Sequence, residues 1–436
     1  MMGENIIMID NLKCIIGEGM LVRNTLWMLG GQGFRVMIQA LYFILLSRLL
    51  GAEGLGTFVG VVSLVGIVGP FANLGSGNLL VKNVARDPRL FRAYWGRGLM
   101  VTSVTASSLI AAILLASSLL LPKSVPFGLV LCVALADLFF ARLLELSSLA
   151  FMAFQRLRRT AQLQAMLSLS RLVAAAWLGL AGPAPTAATW SCCYLAASAC
   201  VGVAAVLVAC RELGRPGLDR GRHASELGDG VLFSIGDSTD WIYGNIDKYM
   251  LLGLSAPGTA GFYAAASRLI SAAYMPITSL FAAMYARFFL HGVEGIQGTL
   301  RFTRRMLPLA LAYGFGVGLA LFLAAPLLPM VLGRDFEGAV EVVRWLAFLP
   351  LIGVVYTFAA DVLTGAGFQG VRTAVQVLVA LTNVLLNLWL IPLYSWRGAA
   401  GANLAAGGLL ALGLWASVWL IRRRESTLVL TGLQPG

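Results

Sequence analysis

The stretch Asp229–Leu254, DGVLFSIGDSTDWIYGNIDKYMLLGL, is long enough to cross a bilayer as one helix, which takes about 20 residues. It nevertheless carries Asp237, Asp240, Asp247 and Lys248. At 100° per residue these four side chains and Gly244 share an arc of roughly 100°, while Ile235, Ile242 and Ile246 point the other way. An acidic side chain at the centre of a membrane helix costs roughly 2.5–3.5 kcal/mol on insertion scales, so lipid on all sides is a poor fit. The charged face is therefore expected to line a water-filled cavity or to meet partner cations. The plainer alternative is that the charges pair inside a packed bundle, but four on one arc exceed what one structural ion pair needs.

The apolar background of this stretch recurs along the chain. Of 436 residues, 59% are apolar and 12% charged, with a mean hydropathy of +0.83. A soluble domain carries about 25% charged residues. The expected fold class is an all-α polytopic membrane protein with little soluble mass. Cys14, Cys132, Cys192, Cys193, Cys200 and Cys210 lie in or beside apolar runs without disulfide or zinc spacing, and read as packing residues. The histidines, His223 and His291, fall in expected loops. No metal site and no cofactor are expected, because P-loop, HExxH and nucleotide fingerprints are also absent. The first apolar run is too long for a cleaved signal peptide.

Twelve helices are predicted, at about 24–50, 55–80, 98–121, 127–153, 161–181, 187–210, 229–254, 260–286, 306–332, 338–364, 372–392 and 398–421. Basic residues gather in alternate connections: Lys82 to Arg97, Gln155 to Arg159, Arg211 to Arg222, Arg287 to Arg305, and Arg422 to Arg424. About 22 of the 32 Lys and Arg then fall on one side and about four on the other. That asymmetry assigns both termini to the cytoplasm. It also accounts for the net charge of +12 without nucleic acid as a partner. The basic loops are suited to touch anionic membrane lipids.

The chain repeats itself. Ala52-Glu53-Gly54-Leu55-Gly56-Thr57-Phe58 parallels Ala256-Pro257-Gly258-Thr259-Ala260-Gly261-Phe262, and Phe154-Gln155-x-x-Arg158 parallels Phe368-Gln369-x-x-Arg372. The two halves are expected as an N-terminal lobe, 1–218, and a C-terminal lobe, 219–436, with six helices each. Six is even, so the halves are parallel repeats about an axis along the membrane normal, an architecture that places a site between them near the midplane. Predicted helices 1 and 7 are its natural walls.

Arg35, flanked by Gln32 and Gln39, lies near mid-membrane on predicted helix 1. Arg268 sits in the outward half of predicted helix 8, and Lys248 near the outer end of predicted helix 7. Guanidinium and ammonium groups suit phosphate oxygens, so these five residues are candidate contacts for an anionic, phosphate-bearing substrate. Asp237, Asp240 and Asp247 are candidate ion-coupling groups or counter-ions, because burial and a nearby cation push a carboxylate in opposite directions. The alternative is that Arg35 pairs with Asp240 while Lys248 snorkels. Arg142 and Glu145, three apart, are expected to pair on their helix. Arg171 has no partner visible in the sequence and is read as structural. Gly56-x-x-x-Gly60 and Gly314-x-x-x-Gly318 are read as packing motifs.

Predicted helices 11 and 12 carry Asn383-x-x-x-Asn387-Leu388-Trp389-Leu390-Ile391-Pro392-Leu393-Tyr394 and then Gly398-Ala399-Ala400-x-Ala402. This resembles the C-terminal signature of polysaccharide flippases of the multidrug/oligosaccharidyl-lipid/polysaccharide exporter superfamily. Arg48-Leu49-Leu50-Gly51-Ala52-Glu53-Gly54-Leu55-Gly56 resembles that family's junction between its first two helices. Phe262-Tyr263-Ala264-Ala265-Ala266-Ser267-Arg268 resembles the start of its eighth. The resemblance implies two six-helix lobes forming a V that alternates between inward- and outward-open states. It implies a polyprenyl-diphosphate-linked oligosaccharide as substrate, with cationic residues on helices 1 and 8, here Arg35 and Arg268, near the diphosphate. Polysaccharide polymerase and glycosyltransferases are the partners such a system implies.

The leading expectation is thus a flippase for lipid-linked oligosaccharide. A multidrug/cation antiporter of the same architecture is the first rival, although it calls for a net acidic, aromatic-rich pocket. A membrane enzyme acting on lipid-linked glycans is the second. Such chemistry usually needs an acid/base or metal pair in a sizeable outer loop, and the predicted outer loops are nearly free of carboxylates outside Glu53, Asp335 and Glu337. An enzyme is therefore not expected.

Overall fold

The computed structural model describes residues 36–217 and 224–431; for Asp237 and Asp240 it describes the backbone alone. Every regular element among these residues is helical. Helix α1 covers 36–68, with Leu46, Leu55, Val61 and Val65 buried along it. Inside this run Gly51 has φ +63°. A left-handed residue turns the chain out of a right-handed helix, and Gly51 is where the sequence ends predicted helix 1. Predicted helix 2 stops short of residue 80. Pro70 sits in a 3-10 turn, Gly69–Ala72, and the left-handed Gly75 precedes α2, Ser76–Val84.

Then follow α3, Phe91–Leu120, and α4, Phe127–Ala134, which passes through a π-helical turn, Leu135–Phe140, into α5, Ala141–Ala153. Next are α6, Leu157–Leu180, and α7, Ala187–Glu212, opened by a Thr186/Thr189 capping box. The charged stretch of the sequence lies in α8, Ala224–Leu254. After it come α9, Pro257–Gly292; α10, Gly295–Ala324; α11, Leu328–Leu332; and α12, Glu337–Leu346. The chain closes with α13, Leu349–Gly365; α14, Gln369–Tyr394; and α15, Trp396–Thr431.

Several predicted boundaries are corrected. Arg92 and Arg97 lie on α3, Arg301, Arg304 and Arg305 on α10, and His291 in the last turn of α9, all of them placed in loops by hydropathy. Hydropathy marks only the lipid-matched part of a helix; backbone hydrogen bonding continues into polar residues where no breaker intervenes. His291 stacks on Phe302 with ring centroids 5.0 Å apart. Predicted helix 10 is two helices, α12 and α13, bent by 41°. Pro350 sits in the first turn of α13, where the N–H it lacks would have bonded the carbonyl four residues back.

Among the described residues eight helices are long and apolar enough to span a membrane, or nine if α12 and α13 make one span. The expected count of twelve is not reached by that measure. Val36–Ala72, which holds predicted helices 1 and 2 on either side of the left-handed Gly51, makes one of these spans, and α8 and α9 are 31 and 36 residues long. The protein is an all-α, multi-pass membrane protein.

By contact the chain forms two compact units. The first comprises residues 1–46, 68–117 and 126–238; the second, 47–67, 118–125 and 239–436. The boundary on α8 falls between Ser238 and Thr239, about 20 residues beyond the expected cut at 218, and 47–67 group with the second unit. The first unit's core includes Phe91, Trp95, Leu146 and Phe151, with the Phe91 and Trp95 rings stacked at 5.9 Å. The second is built around Phe281, Phe288, Phe302 and Phe358, rings meeting edge-on at 4.9–6.3 Å.

The repeats found in the sequence have structural counterparts. Within the second unit a Cβ on Gly56 would strike the Pro257 carbonyl, and a Cβ on Gly261 would strike that of Ala52. The two copies of the motif thus approach each other reciprocally, backbone against backbone. The Phe-Gln connections both close with a Schellman bond, Arg156 N–H to the Phe151 carbonyl at 2.9 Å and Phe368 N–H to the Leu363 carbonyl at 2.8 Å. The left-handed residue is Gln155 in one and Gly367 in the other, so the matched letters sit two positions out of structural register.

Candidate functional site

Two polar clusters, one in each unit, hold buried ionic groups. In the second, Asp247 and Lys248 on α8 are 3% and 9% exposed. Adjacent residues on a helix do not face each other, so their surroundings hold them. The Lys248 ammonium folds back on its own helix and donates to the Gly244 carbonyl at 2.6 Å; Asp247 Oδ1 and Asn245 Oδ1 are each 3.4 Å away. Asp247 Oδ2 accepts from the Asn403 amide at 2.8 Å, and that amide also donates to the Tyr263 hydroxyl at 2.7 Å. Asn403 Oδ1 accepts from Asn383 at 3.2 Å, and Asn383 accepts from Asn387 at its side-chain oxygen, 3.0 Å, and its carbonyl, 2.9 Å. A chain of polar groups thus runs from α8 and α9 across α15 to α14.

The Asp247 carboxylate is met by N–H donors, the Asn403 amide at Oδ2 and the Lys248 backbone and ammonium at Oδ1, so its charge is compensated inside the cluster. Among the described residues no three His, Cys, Asp or Glu gather into a metal-binding group. Asn387 Oδ1 is buried without a hydrogen-bond partner.

In the first unit the π-helical turn carries Asp137. A π-turn inserts a residue into the helical register and re-aims the side chains on it. Asp137 Oδ1 accepts from the Tyr194 hydroxyl at 2.7 Å and from Arg171 at 3.3 Å. The Arg171 guanidinium lies 4.0 Å over the Tyr194 ring and donates to Ser198 at 3.2 Å. Tyr194, Trp190 and Tyr42 continue as an aromatic chain with centroids 6.0 and 5.7 Å apart. Arg171, without a visible partner in the sequence, is thus ion-paired by the fold. Arg142 and Glu145 pair as expected, at 2.7 Å.

The structure brings Asp247 and Lys248 together. Lys248 does not snorkel, since its ammonium is turned inward. Gln39 is half-buried on α1 and Arg268 is exposed on α9. Arg35 and Gln32 lie outside the described residues, as do the side chains of Asp237 and Asp240. Sequence spacing does not reveal Asn403 and Tyr263 as partners of Asp247, nor Asn383 and Asn387 behind Asn403. The i, i+4 spacing of Asn383 and Asn387 on an apolar helix was the available signal; nothing local ties either to Asp247. Asp137, Arg171 and Tyr194 lie on three elements, with no sequence spacing to link them.

Helices of this length and composition, with polar clusters buried among them, make a multi-pass helical membrane protein. The model of the polysaccharide biosynthesis protein family matches residues 21–289, and the chain belongs to that family. No curated protein matches it by sequence. Among solved structures it resembles an inward-facing multidrug resistance MATE family transporter of the MOP superfamily: TM-score 0.69, 13% identity, 89% of this chain and 96% of that one. It resembles the lipid II flippase MurJ in an inward closed conformation equally well: TM-score 0.69, 12% identity, 89% and 86% coverage. A MOP superfamily transporter from Pyrococcus furiosus, described as having a binding pocket of reverse polarity, follows at TM-score 0.55, 13% identity, 90% and 94% coverage. The chain is thus a polysaccharide biosynthesis family member with the fold these solved structures share.

Proposed function

We propose that the protein carries a polyprenyl-diphosphate-linked oligosaccharide, a polysaccharide or O-antigen repeat unit, across the cytoplasmic membrane by alternating access, as a transporter and not as an enzyme. The observation that carries this reading is the match to the polysaccharide biosynthesis family. In it Arg35, Gln32, Gln39 and Arg268 meet the diphosphate headgroup, while the polyprenyl tail stays in lipid. Asp237, Asp240 and Asp247 serve coupling or counter-charge. Asp247 is the best supported of the three, because a proton or cation arriving there changes the bonds that hold α8 to α9 and α15. The termini face the cytoplasm. Glycosyltransferases supply the substrate, and a polymerase uses the exported unit in lipopolysaccharide or polysaccharide biosynthesis. Export of surface polysaccharide from cells carrying Arg35→Ala or Asp240→Ala tests the reading: export should be lost with normal membrane insertion, and full export in Arg35→Ala removes that residue from the mechanism.

The second reading is a multidrug/cation antiporter, favoured by a likeness to a MATE transporter as good as that to the lipid II flippase. Efflux of a fluorescent organic cation that depends on the protein supports it.

A further inference from the structure

Where α10 and α15 approach their polar ends, a cavity of about 200 Å³ is lined by Gln297, Leu300, Arg301, Arg304 and Arg422. On α10, residues 297, 300, 301 and 304 recur at helical spacing and share one face, and Arg422 comes from α15. Arg301, Arg304 and Arg422 line one concavity, and Glu294 lies 3.1 Å from Arg301. Among the described residues this lining is predominantly cationic.

Its depth is fixed by its neighbours. The apolar span of α15 runs Trp396–Arg423 and ends at this cavity, as the span beginning at Gly295 opens beside it. Trp419 is 47% exposed, with the Arg423 guanidinium 3.9 Å over its ring. An exposed Trp beside arginines at the end of a span marks the headgroup level of a bilayer. Basic pockets between membrane helices at this level bind anionic lipid headgroups.

We propose that this pocket holds the phosphate of an anionic phospholipid, separately from the transported substrate. The guanidinium forks of Arg301, Arg304 and Arg422 take the phosphate oxygens. Gln297 adds an amide, and Leu300 gives an apolar floor for the glycerol end. The site ties α10 to α15 through a lipid, and its occupancy does not depend on what the protein transports.

The test is native mass spectrometry of the full-length protein released from bilayers of phosphatidylcholine with phosphatidylglycerol. The wild type should retain phosphatidylglycerol over phosphatidylcholine. Each arginine removed should weaken retention about fivefold, so Arg304→Gln loses about fivefold and Arg304→Gln/Arg422→Gln on the order of 25-fold. Arg304→Lys should keep most of it. Arg287→Gln, an exposed arginine outside the pocket, should change nothing. Wild-type retention in the double variant, or equal loss in Arg287→Gln, overturns the proposal. So does arginine-dependent binding of inorganic phosphate with no preference among lipids, which would make this a site for soluble phosphate. A transport-dead protein that still retains the lipid leaves the pocket intact and counts only against the transport reading.

Discussion

The Asn403 amide donates to Asp247 Oδ2 at 2.8 Å, joining α15 to α8 through a carboxylate that is 3% exposed. A charge so deep persists only with partners, since removing one member of a buried pair typically costs about 3–5 kcal/mol. Asp247→Ala leaves the Lys248 ammonium with neutral oxygens alone and should lower stability by about that amount. Asp247→Ala/Lys248→Met should recover most of the loss, because both charges are gone. Thermal unfolding in detergent checks both. An Asp247→Ala protein as stable as wild type means the pair is not what holds Lys248.

The Asp137–Arg171–Tyr194 cluster predicts coupling. Tyr194→Phe removes one hydrogen bond to an ionised group, costing about 1.5–3 kcal/mol. Arg171→Met strands Asp137 and should cost more, about 3–5 kcal/mol. Because the two side chains share Asp137 and touch each other, the double variant should depart from additivity by about 0.5–3 kcal/mol. Additive losses in unfolding measurements mean the cluster is three separate contacts.

The reciprocal glycine contact makes a sharper demand. Gly56→Ala and Gly261→Ala each push a methyl group against a backbone carbonyl that has no rotamer to escape by. Each should cost at least about 1–3 kcal/mol, the usual range for overpacking. Gly316→Ala on α10, where a Cβ meets open space, should gain a few tenths to about 1 kcal/mol from helix propensity. Comparable melting temperatures for all three remove the close approach from the account.

The membrane class, the anomaly of α8, the Arg142–Glu145 pair and the packing role of Gly56 were legible in the sequence, because each rests on local spacing or composition. The helix ends were less so. Hydropathy assigns Arg301 and Arg304 to a loop, but their polarity marks only the end of the lipid and not the end of α10. The partners of Asp247 and Arg171 were not legible at all. Asn403 lies 156 residues from Asp247 and Tyr194 57 from Asp137, and a single sequence does not say which polar side chains on separate helices face one another. The π-helical turn that carries Asp137 has no composition signal of its own.

The central claim is that the Asp247 carboxylate links an ion to the movement of a lipid-linked oligosaccharide. Its most direct test is translocation of that substrate in vesicles holding the purified protein, with an imposed proton or sodium gradient, for wild type and Asp247→Asn. The account predicts gradient-dependent translocation by the wild type, and a correctly inserted Asp247→Asn protein whose translocation is lost or no longer responds to either gradient. Translocation by Asp247→Asn at the wild-type rate, with the same gradient response, contradicts it.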